Sequence, residues 1–503
     1  MYRLVEPYRA YLYLPFLKLF NNSLDELLQQ FNMENLDCSE ISNYIGNVLD
    51  QVHLPDFVMM FDEWLETQEP STEDRYINFF KEQNGEWRKN LRYNNKYISN
   101  LAEHICFSTL KNIESFFNYL YLEHKLLREN FGCPELSVKG KLSIAGGDRH
   151  NNGQQPIILK LEDFKIIYKP KISGTEKILN DICEIIGHSH VCPKTLSLKE
   201  HVWQEFIEHK ELSSSDNARK VYAKYGNILA LADILNINDC HFENFIVDKD
   251  EVWLIDSETI FQYYFEYNPD FERSIYQSGL LQSPDVFKTG IGHTSAITAV
   301  TNIFKSFTYP HAINDGSEDI KVKYEKGFIK NAHNFPYYMG KPITAYKYTG
   351  NISKGYVEWF SLLKENKNKI IDYINNNRLI KTRYLIRTTA YYLLVINKII
   401  HPNYSRFMPE SLNQIIEKYL LYENANPLFK QLIPYEISCL LNFDVPIFYT
   451  SVNSLSLFDG DGKEYHDFFN RPPLSQIKEN FERDNKYIIR QKELISRSIH
   501  AIL

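Results

Sequence analysis

The sequence lacks the features that mark several large classes of protein. Its seven cysteines are scattered with no CxxC pair among them, which argues against a disulfide scaffold and for reduced thiols. No run of eighteen apolar residues occurs, and residues 1–20 have neither a clean apolar core nor a small-residue cleavage site. With 56 Lys and Arg against 64 Asp and Glu, no broad basic surface is expected. We therefore expect a cytoplasmic enzyme without an integral membrane segment or a nucleic-acid partner.

The chain of 503 residues shows no internal repeat and is long enough for two or three domains. Helical periodicity precedes a run of short strand-like segments, and helices return near the C-terminus, with 383–400 and 474–499 as examples. An α+β fold is therefore expected. We divide it into a helical N-terminal region, a nucleotide-binding core, an activation-loop-like substrate region and a helical C-terminal region, at 1–130, 131–260, 261–355 and 356–503.

The most informative pattern is an aspartate, Asp239, followed by Asn244 and later by Asp256 at the end of an apolar segment. In phosphoryl transferases such an aspartate takes a hydroxyl proton, while the asparagine and the second aspartate hold a divalent cation. Two apolar segments flank a polar turn at 248–251, which predicts a β-hairpin. Such a hairpin would return Asp256 to Asn244, so the pattern favours phosphoryl transfer.

Residues upstream of Asp239 follow the order in which a bilobal phosphotransferase carries its motifs along the chain. Lys169 ends an apolar strand-like segment, where a lysine can neutralise the phosphates of ATP, although a lone strand lysine is usually a surface residue. A Gly-rich stretch at 146–153 precedes it and fits either a loop over phosphates or an ordinary turn. Asp148 and His150 within that stretch indicate additional proton-transfer chemistry.

Two further groups of residues have alternative interpretations. Arg383 and Arg387 are four residues apart on a predicted helix, where they would form either a phosphate clamp or an exposed basic helix end. The segment 188–192 alternates like a strand, so His188, His190 and Cys192 could point three ligands one way. Without a fourth ligand, a metal site there is the weaker interpretation.

Together these motifs resemble the dehydratase domain of class II lanthipeptide synthetases, the LanM type. The matching segments lie in the same order over almost the whole chain: Gly147-Asp-Arg-His150-Asn-Asn-Gly153, Tyr168-Lys-Pro170, Asp239-Cys-His-Phe-Glu-Asn244, Leu254-Ile-Asp-Ser-Glu258 and Arg383-Tyr-Leu-Ile-Arg-Thr-Thr389. Weaker likenesses are Ser278-Gly-Leu-Leu281, Ile352-Ser-Lys-Gly355-Tyr, His401-Pro402 and Asp444-Val-Pro-Ile-Phe448.

The resemblance implies a lipid-kinase-like core that uses ATP and Mg²⁺ to phosphorylate Ser or Thr of a precursor peptide. The same site would then eliminate phosphate to leave dehydroalanine or dehydrobutyrine. The implied catalytic residues are Asp239, His241, Asp148, His150, Arg383 and Thr389. The implied cofactor-binding residues are Lys169, Asn244, Asp256 and Glu258. Asn244 and Asp256 among them would hold the metal, and Lys169 would also act in elimination.

The chain departs from this pattern in places. It ends at Leu503, and Cys439 is its last cysteine, so we expect a stand-alone dehydratase that hands its product to a separate cyclase. Lys171 and Thr388 replace a common arginine and proline, and the short N-terminal part leaves leader-peptide recognition open. Two alternatives remain, a peptide kinase that stops at phosphorylation and an inactive peptide-binding subunit of a synthetase.

Overall fold

A computed structural model of the chain confirms the α+β class. The structure describes residues 13–69, 74–83, 95–171, 174–265, 274–285, 294–298, 304–328, 332–406, 409–423 and 427–501. Parts of the predicted substrate region 261–355 therefore lie outside the described residues. The described residues divide into two compact units. The first is drawn from Met1–Pro170, Phe307–Lys326 and Ile386–Pro446. The second is drawn from Lys171–Ser306, Gly327–Leu385 and Ile447–Leu503.

The secondary structure follows the chain from a helical start through short strands to a helical end. The α-helices α1–α14 are Leu14–Gln30, Ser39–Leu65, Arg75–Gln83, Lys96–Phe131, Thr175–Ile185, Ala218–Leu235, Thr349–Glu365, Lys367–Asn376, Thr389–Ile399, Pro402–Ser405, Pro409–Glu423, Ile433–Leu441, Pro473–Phe481 and Asn485–His500. The strands β1–β16 are Leu36–Asp37, Gly140–Ile144, Ile157–Leu161, Phe164–Lys169, Thr195–Ser197, Val202–Glu205, Phe245–Asp248, Glu251–Leu254, Phe304–Ile313, Lys321–Phe328, Tyr337–Tyr338, Lys341–Pro342, Lys381–Tyr384, Phe448–Ser451, Leu457–Asp459 and Glu464–Tyr465.

In the first unit, strands β1–β4 lie side by side in chain order, and the later three pair antiparallel. Leu142, Leu159 and Ile166 face one another across β2, β3 and β4, and all three side chains are fully buried. This alternation of buried and partly exposed positions is the period-two pattern that predicted the strands. The sheet therefore presents the Gly-rich stretch 146–153 as the connection between β2 and β3.

The second unit is organised around the buried helix α6. Its Asp233 accepts hydrogen bonds from Tyr356 of α7 at 2.7 Å and Tyr487 of α14 at 2.8 Å, and it pairs with Arg483 at 2.6 Å. A buried carboxylate is tolerated only with such partners. The helix ends at Asn236, whose left-handed backbone (φ 51°) turns the chain toward Asp239. Helix α6 thus sets the position of the segment that begins at Asp239.

Helices α6 and α7 approach each other unusually closely. A Cβ added to Gly226 would lie 2.1 Å from the carbonyl oxygen of Ile352, and one added to Gly355 would lie 2.2 Å from that of Ala223. Both distances are far below van der Waals contact, and the obstacles are backbone atoms. The absence of a side chain at these two glycines therefore permits the helices to touch. Gly355 belongs to the weaker motif 352–356, whose role here is packing.

Two predicted helices differ from the observed structure. The segment 383–400 is not one helix, because Arg383 lies in β13 and pairs with Tyr449 of β14, and α9 begins only at Thr389. Thr388 starts that helix by accepting a hydrogen bond from the Tyr391 amide at 3.3 Å. The segment 474–499 forms two helices, α13 and α14. Asp484 separates them because its side chain caps α14 at the Tyr487 amide.

We expect Gly226→Ala and Gly355→Ala each to destabilise the protein by about 1–3 kcal/mol or more, because the added methyl group forces α6 and α7 apart. Gly350→Ala is the matched control on α7, since a Cβ there meets nothing within 4 Å. It should change stability by about 1 kcal/mol or less. Urea unfolding of the three variants measures the difference. Equal midpoints would show that the close approach does not constrain the fold.

Candidate functional site

The loop that carries Asp239 has a constrained backbone. Asp239 adopts the left-handed conformation (φ 57°), which residues with a side chain rarely adopt. Its carbonyl oxygen accepts hydrogen bonds from the His241 amide at 2.8 Å and from Asn244 Nδ2 at 2.8 Å. The side-chain oxygen of Asn238 accepts a hydrogen bond from the Asp239 amide at 2.7 Å. These bonds hold the loop in a conformation that the local sequence alone would not favour.

A glycine from a separate segment supports this loop. The Cys240 amide donates to the Ser278 carbonyl oxygen at 2.8 Å. Gly279, the next residue, has φ 82°, and a Cβ added there would lie 3.2 Å from the Cys240 nitrogen. Position 279 therefore requires a glycine, because its backbone is left-handed and because a side chain there would crowd the Asp239 loop.

The predicted hairpin is confirmed, and it returns the chain to Asn244. Strands β7 and β8 pair from Phe245↔Leu254 at the base to Asp248↔Glu251 at the turn. The amide of Ile255 then donates to the carbonyl oxygen of Asn244 at 2.9 Å. Asp256, the next residue, is thereby placed beside Asn244.

Lys171 joins three carboxylates in this part of the second unit. Its Nζ lies 2.9 Å from Asp256 Oδ1, 3.0 Å from Glu176 Oε1 and 4.0 Å from Glu258 Oε2. Burial by itself would lower the pKa of Lys171, but the carboxylates of Asp256, Glu176 and Glu258 raise that pKa well above its ordinary value. The three carboxylates therefore favour the charged form of Lys171.

Arg383 reaches the same group from β13. Its Nη1 donates to Glu258 Oε1 at 2.6 Å, and its amide donates to the Glu258 carbonyl oxygen at 2.9 Å. Its own carbonyl oxygen accepts a hydrogen bond from Gln262 at 2.6 Å. Arg383 is thus held in place by hydrogen bonds of both its backbone and its side chain. A fixed guanidinium of this kind suits recognition of phosphate oxygens.

The Asp239 carboxyl has a raised pKa. Burial is the main cause, opposed by the positive charges of His241 and Arg383 and reinforced by Asp256 and Glu258. Its side chain nevertheless remains 39% exposed, so the carboxyl is still accessible from one side. His241 Nε2 lies 3.8 Å from Asp239 Oδ1, while its Nδ1 accepts the Glu243 amide at 3.3 Å. The imidazole is thus oriented toward the carboxyl. A raised pKa on a partly accessible acid is common at proton-transfer sites.

The donor set of this cluster fits Mg²⁺. Its carboxylates outnumber its lysine and arginine: Asp239, Asp256, Glu258 and Glu176 against Lys171 and Arg383. Asn244 donates through Nδ2, so its side-chain oxygen is the atom that could bind a cation. Within the described ranges, no three His, Cys, Asp or Glu side chains form a metal cage. Mg²⁺ is commonly bound by one or two carboxylates, with phosphate oxygens and water as the other ligands.

The Gly-rich stretch in the first unit is held by a buried polar network. Arg149 donates to Ser108 at 2.7 Å and to Thr109 at 3.0 Å on α4. Asp444, itself 2% exposed, accepts the Gly153 amide at 3.0 Å. Because that amide is committed to a carboxylate, it does not serve as a phosphate ligand. Instead, the network makes the loop a fixed support for Asp148 and His150.

Of the remaining candidates of the first unit, His150 lies in the loop between β2 and β3, and Lys169 and Thr389 lie at the ends of elements. His150 Nδ1 is bonded to the Val445 carbonyl oxygen at 2.9 Å. Lys169 is the last residue of β4 and is 8% exposed. Thr389 is the first residue of α9, where amide groups without helical partners favour anions. The roles that the resemblance implies for these residues stay predictions.

The structure contradicts both interpretations of Arg383 and Arg387, the phosphate clamp on one helical face and the exposed basic helix end. Arg387 is buried in the first unit, where its Nε and Nη2 bind the two carboxylate oxygens of Glu436 at 2.8 and 3.2 Å. Tyr392 also donates to Glu436, at 2.7 Å. Arg383 lies on a strand rather than on a helical face with Arg387. The four-residue spacing therefore has no functional meaning here, and Arg387 is structural.

The interpretation of residues 188–192 as a strand is also wrong. Asn180 Oδ1 accepts the amides of Val191 and Cys192 at 3.2 and 3.0 Å, so the segment bends around a side chain. His190 is 46% exposed and bonded to Glu184, whereas Cys192 is fully buried. The three proposed ligands therefore do not share a face.

Sequence reasoning did not assign Lys171, Glu176 or Asp444 to any site. The signals available were the second lysine of the Lys-Pro-Lys segment 169–171, the acidic residue in the first turn of α5, and the motif that begins at Asp444. None of these signals specifies a partner, because a sequence does not show which lysine and carboxylate become buried together, and Asp256, Glu258 and Gly153 lie far from Lys171 and Asp444 in the sequence.

The family assignment follows from a domain match. A family model described as a domain of unknown function, DUF4135, matches residues 97–451, which is more than half of the chain. The chain belongs to the DUF4135 family. All of the candidate catalytic and cofactor-binding residues lie inside the DUF4135 match.

A curated relative adds a second comparison for this DUF4135 protein. The lacticin 481/lactococcin biosynthesis protein LcnDR2 of Lactococcus lactis subsp. lactis is 25% identical over 375 residues. The alignment covers 68% of this chain and 39% of LcnDR2, so the chain spans about two fifths of that relative's length. Among the described residues, no helix has the length and apolar character needed to cross a membrane.

We expect Arg387→Met to destabilise the protein by about 3–5 kcal/mol, because it leaves the buried Glu436 carboxylate without its cation. Arg387→Met combined with Glu436→Gln should recover much of that loss, since the uncompensated charge is removed. Denaturant unfolding of both variants measures the difference. A folded Arg387→Met variant of normal stability would show that the Arg387–Glu436 pair does not stabilise the fold.

Proposed function

We propose that this DUF4135 protein is an ATP-dependent peptide dehydratase of lanthipeptide (lantibiotic) biosynthesis. It would phosphorylate Ser or Thr of a ribosomally made precursor peptide and then eliminate phosphate to give dehydroalanine or dehydrobutyrine. The observation that carries this proposal is the return of the β7–β8 hairpin, which places Asp256 beside Asn244 in the loop of Asp239. LcnDR2 is named as a lacticin 481/lactococcin biosynthesis protein, and this name supports a peptide as the substrate.

In the first half-reaction, Asp239 would accept the proton of the substrate hydroxyl while the hydroxyl oxygen forms a bond to the γ-phosphorus of ATP. The bond from that phosphorus to the oxygen of ADP would break at the same time. His241 faces the Asp239 carboxyl and would orient it. Asn244 and Asp256 would hold Mg²⁺ with Glu258 nearby, and Lys169 would bind phosphate of ATP in a bilobal, lipid-kinase-like core. The bound cation supplies charge neutralisation for the phosphate oxygens. The products are the phosphopeptide and ADP.

In the second half-reaction, a base removes the α-proton of the phosphorylated residue and the bond from Cβ to the phosphate oxygen breaks. The electron pair of the C–H bond becomes the new carbon–carbon double bond, and inorganic phosphate leaves. Arg383 and Thr389 would stabilise that departing phosphate, since cations and donors lower the barrier for an anionic leaving group. Asp148 and His150 would assist proton transfer, and Lys169 would also act here.

Arg383 suits the elimination role because its position is set independently of substrate. Glu258 holds the guanidinium at 2.6 Å, and the strand pairing of β13 fixes the backbone. A pre-positioned cation is effective because no reorganisation is needed when charge develops on the leaving group. A separate cyclase that uses the dehydrated peptide is the partner we propose.

The mass of a candidate precursor peptide tests the proposal directly. After incubation with the protein, ATP and Mg²⁺, we expect the loss of one water for each modified Ser or Thr. A lasting gain of phosphate would instead identify a kinase without elimination. Unchanged peptide and no ATP turnover, across candidate precursors, would favour the inactive peptide-binding subunit. Asp239→Asn is the control, because it should abolish both phosphorylation and dehydration.

We expect Thr389→Val to accumulate phosphopeptide, because it removes the hydroxyl donor at nearly constant volume while leaving the Asp239 loop intact. Thr389→Ser keeps the hydroxyl and should dehydrate the peptide. Arg383→Gln should also accumulate phosphopeptide, with Arg383→Lys as the variant that retains the charge. Mass spectrometry of a time course measures both species. If Thr389→Val dehydrates the peptide at the rate of Thr389→Ser, the hydroxyl has no role in elimination.

A further inference from the structure

Lys171 has no role in the mechanism above, yet its ammonium lies within 4.0 Å of three carboxylates. Its side chain is 10% exposed and touches carboxylates from three places in the sequence, Glu176, Asp256 and Glu258. A buried lysine is costly unless it is paired, so this arrangement must be maintained by the surrounding fold. The contact to Asp256 at 2.9 Å links it to a proposed Mg²⁺ ligand.

The three carboxylates differ in exposure, and the difference indicates separate roles. The Glu176 side chain is fully buried, that of Glu258 is 14% exposed, and that of Asp256 is 36% exposed. Glu176 therefore anchors the ammonium from inside the protein, while Asp256 is the most accessible of the three. Glu258 is engaged separately by Arg383. One ammonium among three carboxylates also leaves an excess of negative charge.

We infer that Lys171, anchored by Glu176, is a positioning residue that orients the Asp256 carboxylate for the metal ion. The ammonium contacts Oδ1 of Asp256, and a fixed contact at one carboxylate oxygen fixes the direction of the other. Groups that hydrogen-bond to a metal ligand typically change metal affinity by about 10–100-fold when they are removed. The inference rests on the proposed function, because that function makes Asp256 a Mg²⁺ ligand.

Simple charge neutralisation is the competing explanation, and a double variant separates the two. Lys171→Met with Glu176→Gln removes one positive and one negative charge, so the net charge of the cluster is unchanged. It also leaves no buried glutamate without a partner. If Lys171 only balanced charge, this variant would bind Mg²⁺ as well as the wild type. If Lys171 orients Asp256, affinity should fall.

The experiment measures binding rather than turnover, with the full chain. Calorimetric titration with a non-hydrolysable ATP analogue is performed with Mg²⁺ and again with EDTA. For Lys171→Met/Glu176→Gln we expect Mg²⁺-dependent affinity to fall by about 10–100-fold. Affinity in EDTA should be unchanged. Lys171→Arg keeps the cation and should bind close to the wild-type value.

The matched control removes an exposed ion pair of the same kind from the same unit. Lys220 and Asp250 lie 2.9 Å apart, with side chains 53% and 35% exposed. Lys220→Met/Asp250→Asn should leave nucleotide binding unchanged. Thermal unfolding verifies that each variant is folded. If the Lys171→Met/Glu176→Gln protein does not fold, Lys171→Gln/Glu176→Gln serves in its place, because two amides can hydrogen-bond to each other.

The outcomes distinguish the inference from the function on which it rests. Wild-type affinity in the folded double variant would overturn the positioning role and leave the proposed function intact. An equal loss with and without Mg²⁺ would also overturn it, because Lys171 would then contact the nucleotide directly. Absence of Mg²⁺-dependent binding in the wild type would overturn the assignment of Asp256 and the proposed function together.

Discussion

The β7–β8 hairpin is the constraint on which the rest of the candidate site depends. Two strands of equal length must return the chain so that the Ile255 amide meets the Asn244 carbonyl oxygen. The strand pairing and this backbone bond together bring the chain at Asp256 back to Asn244. The left-handed Asp239, the Ser278–Gly279 support and the Glu258–Arg383 contact are then arranged around this point.

Buried charged side chains are the second feature on which the structure depends. The position of each one is fixed by the oppositely charged side chain with which it pairs. Arg383 and Arg387 illustrate this, because they are close in sequence but serve different purposes. Arg383 is held by Glu258, in the unit that contains Asp239, whereas Arg387 is enclosed by Glu436 and Tyr392. The same side chain is therefore a candidate phosphate ligand in one setting and a fully satisfied structural group in the other.

Several motif residues serve the backbone rather than the chemistry. Gly153, Gly279 and Gly355 each stand where a Cβ would collide with, or crowd, another segment. Asp444 similarly accepts the Gly153 amide instead of acting on a substrate. The candidate chemical groups are thus supported by neighbours selected for shape and hydrogen bonding.

The sequence by itself determined the α+β class, the strands of the first unit, the hairpin and the order of the candidate phosphotransfer residues, because these depend on local alternation and spacing. It did not determine that Arg383 lies on a strand, since that strand exists only through pairing with residues 448–451. Nor did it reveal Lys171, whose partners come from α5 and from the segment after β8. Long-range pairing and burial of charge belong to the tertiary structure, and those interactions decided which cations surround Asp256.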